Sequence, residues 1–159
     1  MRLILLFALP ILSLFFQACE SPLASVNKSF DDGCWPIQDT LEVEFDNKDT
    51  SQVYSLWFPL EVEAEDYPYN NIHLRAAIQA PSGSTTVIPA RFGLMDPTGE
   101  WLSEDVGERV GFQLLLSSGL RFNQSGTYSI ALYHFMQDSS LCGITSAGIT
   151  LEKAEPQAQ

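Results

Sequence analysis

Apolar and polar residues alternate with a period of two along most of this chain, which predicts strands rather than helices. Leu41, Val43 and Phe45 alternate with Glu42 and Glu44, the signature of a half-buried antiparallel strand with a charged outer face. Residues 53–62 are apolar and aromatic around Pro59, whose missing N–H predicts an edge position or a bulge. Ile72, Leu74, Ala76 and Ile78 face one way, while His73, Arg75 and Gln79 face the other. Pro81-Ser82-Gly83-Ser84 then turns the chain into residues 85–95, a strand interrupted by Pro89. Asp96-Pro97-Thr98-Gly99 has the composition of a tight turn leading to a short strand around Trp101. Residues 103–107 predict a brief helical turn. Residues 110–116 form a strand ended by Ser117-Ser118-Gly119, with Leu120 and Phe122 beginning another. Residues 123–126 turn, and strands over 127–136 and 144–151 close the set.

About eight short strands with brief connections predict an all-β, antiparallel β-sandwich, with a jelly-roll among its variants. A helix over residues 112–116 fails on length, because Ser117-Ser118-Gly119 stops it too soon.

One stretch breaks the alternation. Arg2 precedes a nearly unbroken apolar run over residues 3–16, and Cys19 follows the small residue Ala18. The run suits a signal peptide and falls short of the ~20 residues of a spanning helix. Phe16-Gln17-Ala18-Cys19 looks like a bacterial lipobox, so residues 1–18 are expected to be cleaved and Cys19 acylated. Secretion after cleavage behind Ala18, or a retained anchor helix, are the other readings; all three export the domain. Residues 19–33 then read as a tether, 34–151 as the sandwich and 152–159 as a flexible tail.

Charge narrows the partners. The chain carries 20 acidic against 8 basic residues, a net charge of −12, and loses one more positive charge with Arg2. Such a surface repels phosphate backbones, which excludes a nucleic-acid role. It also disfavours anionic lipid through the protein face, so a covalent anchor is the sensible membrane attachment. With Cys19 acylated, Cys34 and Cys142 remain as an even pair in an oxidising compartment. They form either a disulfide, contributing about 4.7 kcal/mol in the chain-entropy model, or two separately buried thiols. His73 and His134 show no ligand spacing with either cysteine, so no metal and no cofactor is expected.

Nucleophilic catalysis needs a nucleophile beside a base, and neither histidine occupies such a setting; the chain reads as no enzyme. Tyr67-Pro68-Tyr69-Asn70-Asn71 is denser in rings and amides than a turn requires. Tyr67, Tyr69, Asn70, Asn71 and Trp101 are therefore candidates for partner contact. The plainer alternative is that the tyrosines cover the sandwich end while the asparagines satisfy turn geometry. Tyr67, Tyr69 and Trp101 would also suit a carbohydrate-binding module, since ring faces stack on sugars.

Several blocks resemble the gliding-motility lipoprotein family GldH of Bacteroidota. They are the lipidation signal, Trp35, the run from Tyr67 through Asn71-Ile72-His73-Leu74, and Asp96-Pro97-Thr98-Gly99-Glu100-Trp101. Gly126-Thr127-Tyr128-Ser129-Ile130, residues 136–141, Gly143-Ile144 and Gly148-Ile149 continue the order. The resemblance implies a non-enzymatic accessory lipoprotein of the cell envelope, facing the periplasm. It implies action through contacts with envelope proteins of the motility and secretion machinery; the glycan ligand that the rings suggest is the alternative.

Overall fold

The alternation is realised as eleven antiparallel strands in a computed structural model that describes residues 21–154. The strands are β1 (Ala24–Ser29), β2 (Cys34–Pro36), β3 (Leu41–Asn47), β4 (Val53–Glu63), β5 (Asn71–Gln79) and β6 (Thr85–Gly93). They continue as β7 (Asp105–Val106), β8 (Arg109–Arg121), β9 (Gly126–His134), β10 (Ser140–Cys142) and β11 (Ile144–Lys153). Among the described residues there is no helix. One sheet has the order β1-β11-β4-β8-β7, the other β3-β9-β5-β6, and β10 pairs with β2 in a small ribbon. The all-β sandwich expected from the pattern is therefore the observed fold.

The core lies between the two sheets, where the inward side chains meet. Tyr54, Leu56, Phe58, Leu60 and Val62 of β4 are all buried, as are Ile72, Leu74, Ala76 and Ile78 of β5. An aromatic cluster fills each end. At one end Phe45, Tyr54, Phe122 and Tyr128 pack together. The Tyr54 hydroxyl donates to Asn47 Oδ1 at 3.0 Å there. Asn47 Nδ2 donates to the carbonyls of Phe122 and Gln124, so this buried amide is paired. At the other end Trp35 is fully buried against Phe30, Phe58 and His134.

Four expectations need correction. The stretch taken as a tether contains β1, which pairs in register with β11 from Ala24↔Leu151 to Ser29↔Ser146. Its alternation is real, with Ala24, Val26 and Lys28 turned inward, but too few of those side chains are apolar to stand out. The sandwich therefore begins at Ala24. It also extends past residue 151, because Glu152 and Lys153 belong to β11; residues 155–159 of the expected tail lie outside the described residues. Residues 103–107 form no helical turn: Asp105 and Val106 pair with β8 instead. Ser117-Ser118-Gly119 does not end a strand. β8 runs through it with a register shift opposite Tyr54, Leu56 and Trp57, which absorbs the irregularity as a bulge.

Pro59 is neither at an edge nor at a register shift, since β4 is the middle strand of five and its shifts lie at Tyr54, Leu56 and Trp57. It pairs with Gln113 of β8, and on its β11 side Gly148 makes room for the ring. A Cβ on Gly148 would come within 3.0 Å of Pro59 Cγ and 2.5 Å of the Val26 carbonyl oxygen. The sheet therefore tolerates proline in its interior because the neighbouring strand presents no side chain there.

Candidate functional site

The separated sequence blocks converge on one end of the sandwich, the end closed by Trp35. Tyr67 lies in the β4–β5 connection, is 4% exposed and donates its hydroxyl to the Asn71 carbonyl at 2.9 Å. Burial pushes this phenol well above its ordinary pKa. Gly143, at φ +77°, presses against the same segment; a Cβ there would lie 2.6 Å from Tyr67 Cα. Only glycine satisfies both the left-handed backbone and the contact.

Tyr69 is half-buried, stands edge-on to Tyr67 at 6.1 Å and donates to Asp138 Oδ2 at 2.6 Å. That bond ties the β4–β5 connection to the β9–β10 connection. It also raises the Tyr69 pKa, because the carboxylate accepts from the protonated phenol. Asn70 is exposed, yet its carbonyl accepts from the N–H groups of Leu94 and Met95, and its side chain accepts from Asn71 Nδ2. The Asp96-Pro97-Thr98-Gly99 turn sits beside it. Asp96 Oδ1 accepts from the Thr98 N–H and hydroxyl and from the Glu100 N–H, which together hold its pKa down. This turn brings Met95 opposite Trp101, whose half-buried ring packs on Phe112 at 6.1 Å.

Five residues taken as partner contacts thus sit together at one end, but they are not equivalent. Tyr67 is a structural plug and is withdrawn as a contact residue. Asn71 is mainly architectural, and Asn70, Tyr69 and Trp101 keep exposed surface. Of the three rings on which the carbohydrate reading drew, Tyr67 is buried, while Tyr69 and Trp101 are half-exposed.

The ribbon β2–β10 completes this end. Cys34 and Cys142 are direct partners in it and are joined by a disulfide across 108 residues of sequence. Beneath it, His134 is fully buried, and its Nε2 lies 3.1 Å from the Trp35 carbonyl. A carbonyl can only accept, so Nε2 carries the hydrogen. Nδ1 has no partner among the described residues, and burial lowers the pKa, which fits a neutral structural imidazole. His73 lies on the outer face of β5, with its N–H near Met136 Sδ. Among the described residues no three His, Cys, Asp or Glu side chains group to hold a metal.

A shallow depression of about 280 Å³ lies on the outer face of the five-stranded sheet. Gly111 and Pro59 help form it, and Asn27, Glu61, Asp105 and Gln113 line it. Glu61 there accepts from the Thr145 hydroxyl and from Arg109. Sequence reasoning also missed the exposed Phe135, next to a histidine read only as part of a strand.

The family profile described as GldH lipoprotein matches residues 23–151, nearly the whole folded body. The chain belongs to the GldH lipoprotein family. Among curated relatives, it is similar to the gliding motility lipoprotein GldH of Flavobacterium johnsoniae. The two are 25% identical over 114 residues, covering 67% of this chain and 70% of that one. Among solved structures it has a faint likeness to the infectious bursal disease virus VP2 subviral particle. That match has a TM-score of 0.20 and 12% identity, and covers 84% of this chain but 39% of the viral one. It is too weak to inform the fold. The blocks that carry the GldH resemblance at Tyr67, Asp96, Asp138 and Gly143 are those that interlock at the Trp35 end. Cys19 and the signal segment lie outside the described residues.

Proposed function

We propose that this GldH lipoprotein is a lipid-anchored protein of the cell envelope that faces the periplasm. It serves the gliding-motility and associated secretion machinery as an accessory component, through protein contacts and without catalysis. The family match across residues 23–151 carries this reading. The apolar leader with Cys19 supports the anchor, because such a leader followed by cysteine suits acylation and several acyl chains hold durably. The half-exposed rings at the Trp35 end support contact over chemistry, since they offer surface without a nucleophile beside a base.

Two measurements test it. Mass analysis of the mature protein should find an acylated N-terminal Cys19, and Cys19→Ser should move the protein from the membrane to the soluble fraction. Affinity capture of the anchored protein from membranes should recover envelope motility or secretion components. An unmodified N-terminus, or repeated recovery of none of these components, overturns the reading.

A further inference from the structure

The β5–β6 side of the outer face of the four-stranded sheet carries an unpartnered cationic and apolar surface, away from the acidic β3 edge. Strand register sets His73 opposite Arg91, Arg75 opposite Pro89, and Ala77 opposite Val87 across β5 and β6. On the β9 side Tyr133 stands beside Arg75 and Ala131 beside Ala77. Phe135, just beyond β9, is 49% exposed, and the Arg75 guanidinium sits 3.5 Å from its ring centroid. Lys28, Lys48 and Arg109 are each paired with carboxylates. Among the described residues, neither Arg75 nor Arg91 has a carboxylate within ion-pair distance. The acids of this sheet face, Glu42, Glu44 and Asp46, all stand on β3 at its far edge, so the outward positions of β5, β6 and β9 carry two guanidiniums and no carboxylate.

We propose that this face receives a carboxylate-rich segment of a partner protein, with Arg75 and Arg91 as its anchors; the inference rests on the contact-based function above. Guanidiniums grip carboxylates through paired N–H donors, and stacking on Phe135 holds Arg75 ready for that geometry. The short side chain of Ala77 lets a partner approach the sheet, while Val87 and Tyr133 supply apolar contact. The acidic remainder of the surface, the β3 edge of this sheet included, repels the same segment and so directs it to the β5–β6 side. Two other occupants fit less well. A lipid headgroup would have to reach the His73 half of β5, which lies toward the end opposite the one where β1 begins. A second copy would bring together two bodies of net charge −12.

The test uses the full lipidated protein in phosphatidylcholine nanodiscs and a fluorescein-labelled peptide of alternating glutamate and serine. Anisotropy should report salt-sensitive binding that weakens at least tenfold in Arg75→Glu/Arg91→Glu. Lys48→Glu/Arg121→Glu, which changes net charge equally, should leave binding within about twofold. No binding, or an equal loss in both variants, overturns the proposal. So does an arginine-dependent preference for phosphatidylglycerol nanodiscs, or a dimer that Arg75→Glu/Arg91→Glu dissolves. Membrane capture separates this proposal from the function it rests on. If Arg75→Glu/Arg91→Glu recovers the same envelope components as the unaltered protein, this face is wrong and the accessory function stands. If the unaltered protein recovers none, the accessory function itself fails.

Discussion

His134 and Gly148 illustrate how single positions carry strain on this fold. The His134 ring is neutral because protonation would place a second N–H where no acceptor lies, beneath Trp35. Its folded pKa lies below the ordinary value near 6.5. The unfolded chain therefore takes up a proton at that site as pH falls through 6.5, while the folded chain does not. Stability should decline below pH 6.5, by at most about 1.4 kcal/mol per pH unit from this one site. Melting temperatures measured from pH 7.0 to 5.5 should fall, and His134→Phe, which keeps a ring against Trp35, should flatten the slope. An unchanged slope in the variant would assign the decline to other groups. Gly148 has a different constraint, since a Cβ would meet a backbone oxygen at 2.5 Å and the Pro59 ring at 3.0 Å. The carbonyl belongs to β1, so relief requires moving a strand. Gly148→Ala should cost about 1–3 kcal/mol in denaturant unfolding, whereas Gly83→Ala, strained only by its φ of +84°, should cost less.

At the scale of elements, the β2–β10 ribbon stands apart from both main sheets and has only three residue pairs of its own. The Cys34–Cys142 bridge fixes it and thereby seals Trp35 and His134 beneath. Cys34→Ser/Cys142→Ser should lower stability by about 2–5 kcal/mol, and hydrogen exchange should rise first at residues 34–36 and 140–142. Exchange that rises uniformly would show that the ribbon is held by its packing rather than by the bridge. Long alternating runs such as β4 and β5 were legible in the sequence because each buries an unbroken apolar face. β1, β2, β7 and β10 were not legible, because they are short or polar and owe their pairing to neighbours distant in sequence. Pro59 misled for a related reason: its tolerance depends on Gly148, which only the β4–β11 pairing places beside it. The candidate site was legible as a block of tyrosines and asparagines. That Tyr67 turns inward depends on the close approach of Gly143, and that Phe135 meets Arg75 depends on the β5–β9 register.

For the whole molecule, the early start of β1 decides how the domain would stand on a membrane if Cys19 carries the anchor proposed above. Only five residue steps separate Cys19 from Ala24, a reach of at most about 18 Å even when fully extended. β1 begins level with Leu151 and runs toward the Trp35 end, so the anchor joins at the end of Tyr54, Asn47 and the Pro81–Ser84 turn. The nine residues of β5 separate the two ends by about 30 Å. A domain so anchored would keep its Pro81 end toward the lipid and hold the interlocked Tyr69–Asp138–Trp101 end away from it, where partners could reach it. The acidic body favours the same posture, because anionic headgroups repel it wherever the leash allows retreat. Spin labels at Ser82→Cys and Thr98→Cys, read against lipid-borne relaxation agents in nanodiscs, should therefore differ. The label at position 82 should be relaxed strongly and the label at position 98 weakly, and lengthening the segment before Ala24 by ten glycine and serine residues should erase the contrast. Stronger relaxation at position 98 would mean that the Trp35 end faces the bilayer, and would remove that end as a contact surface.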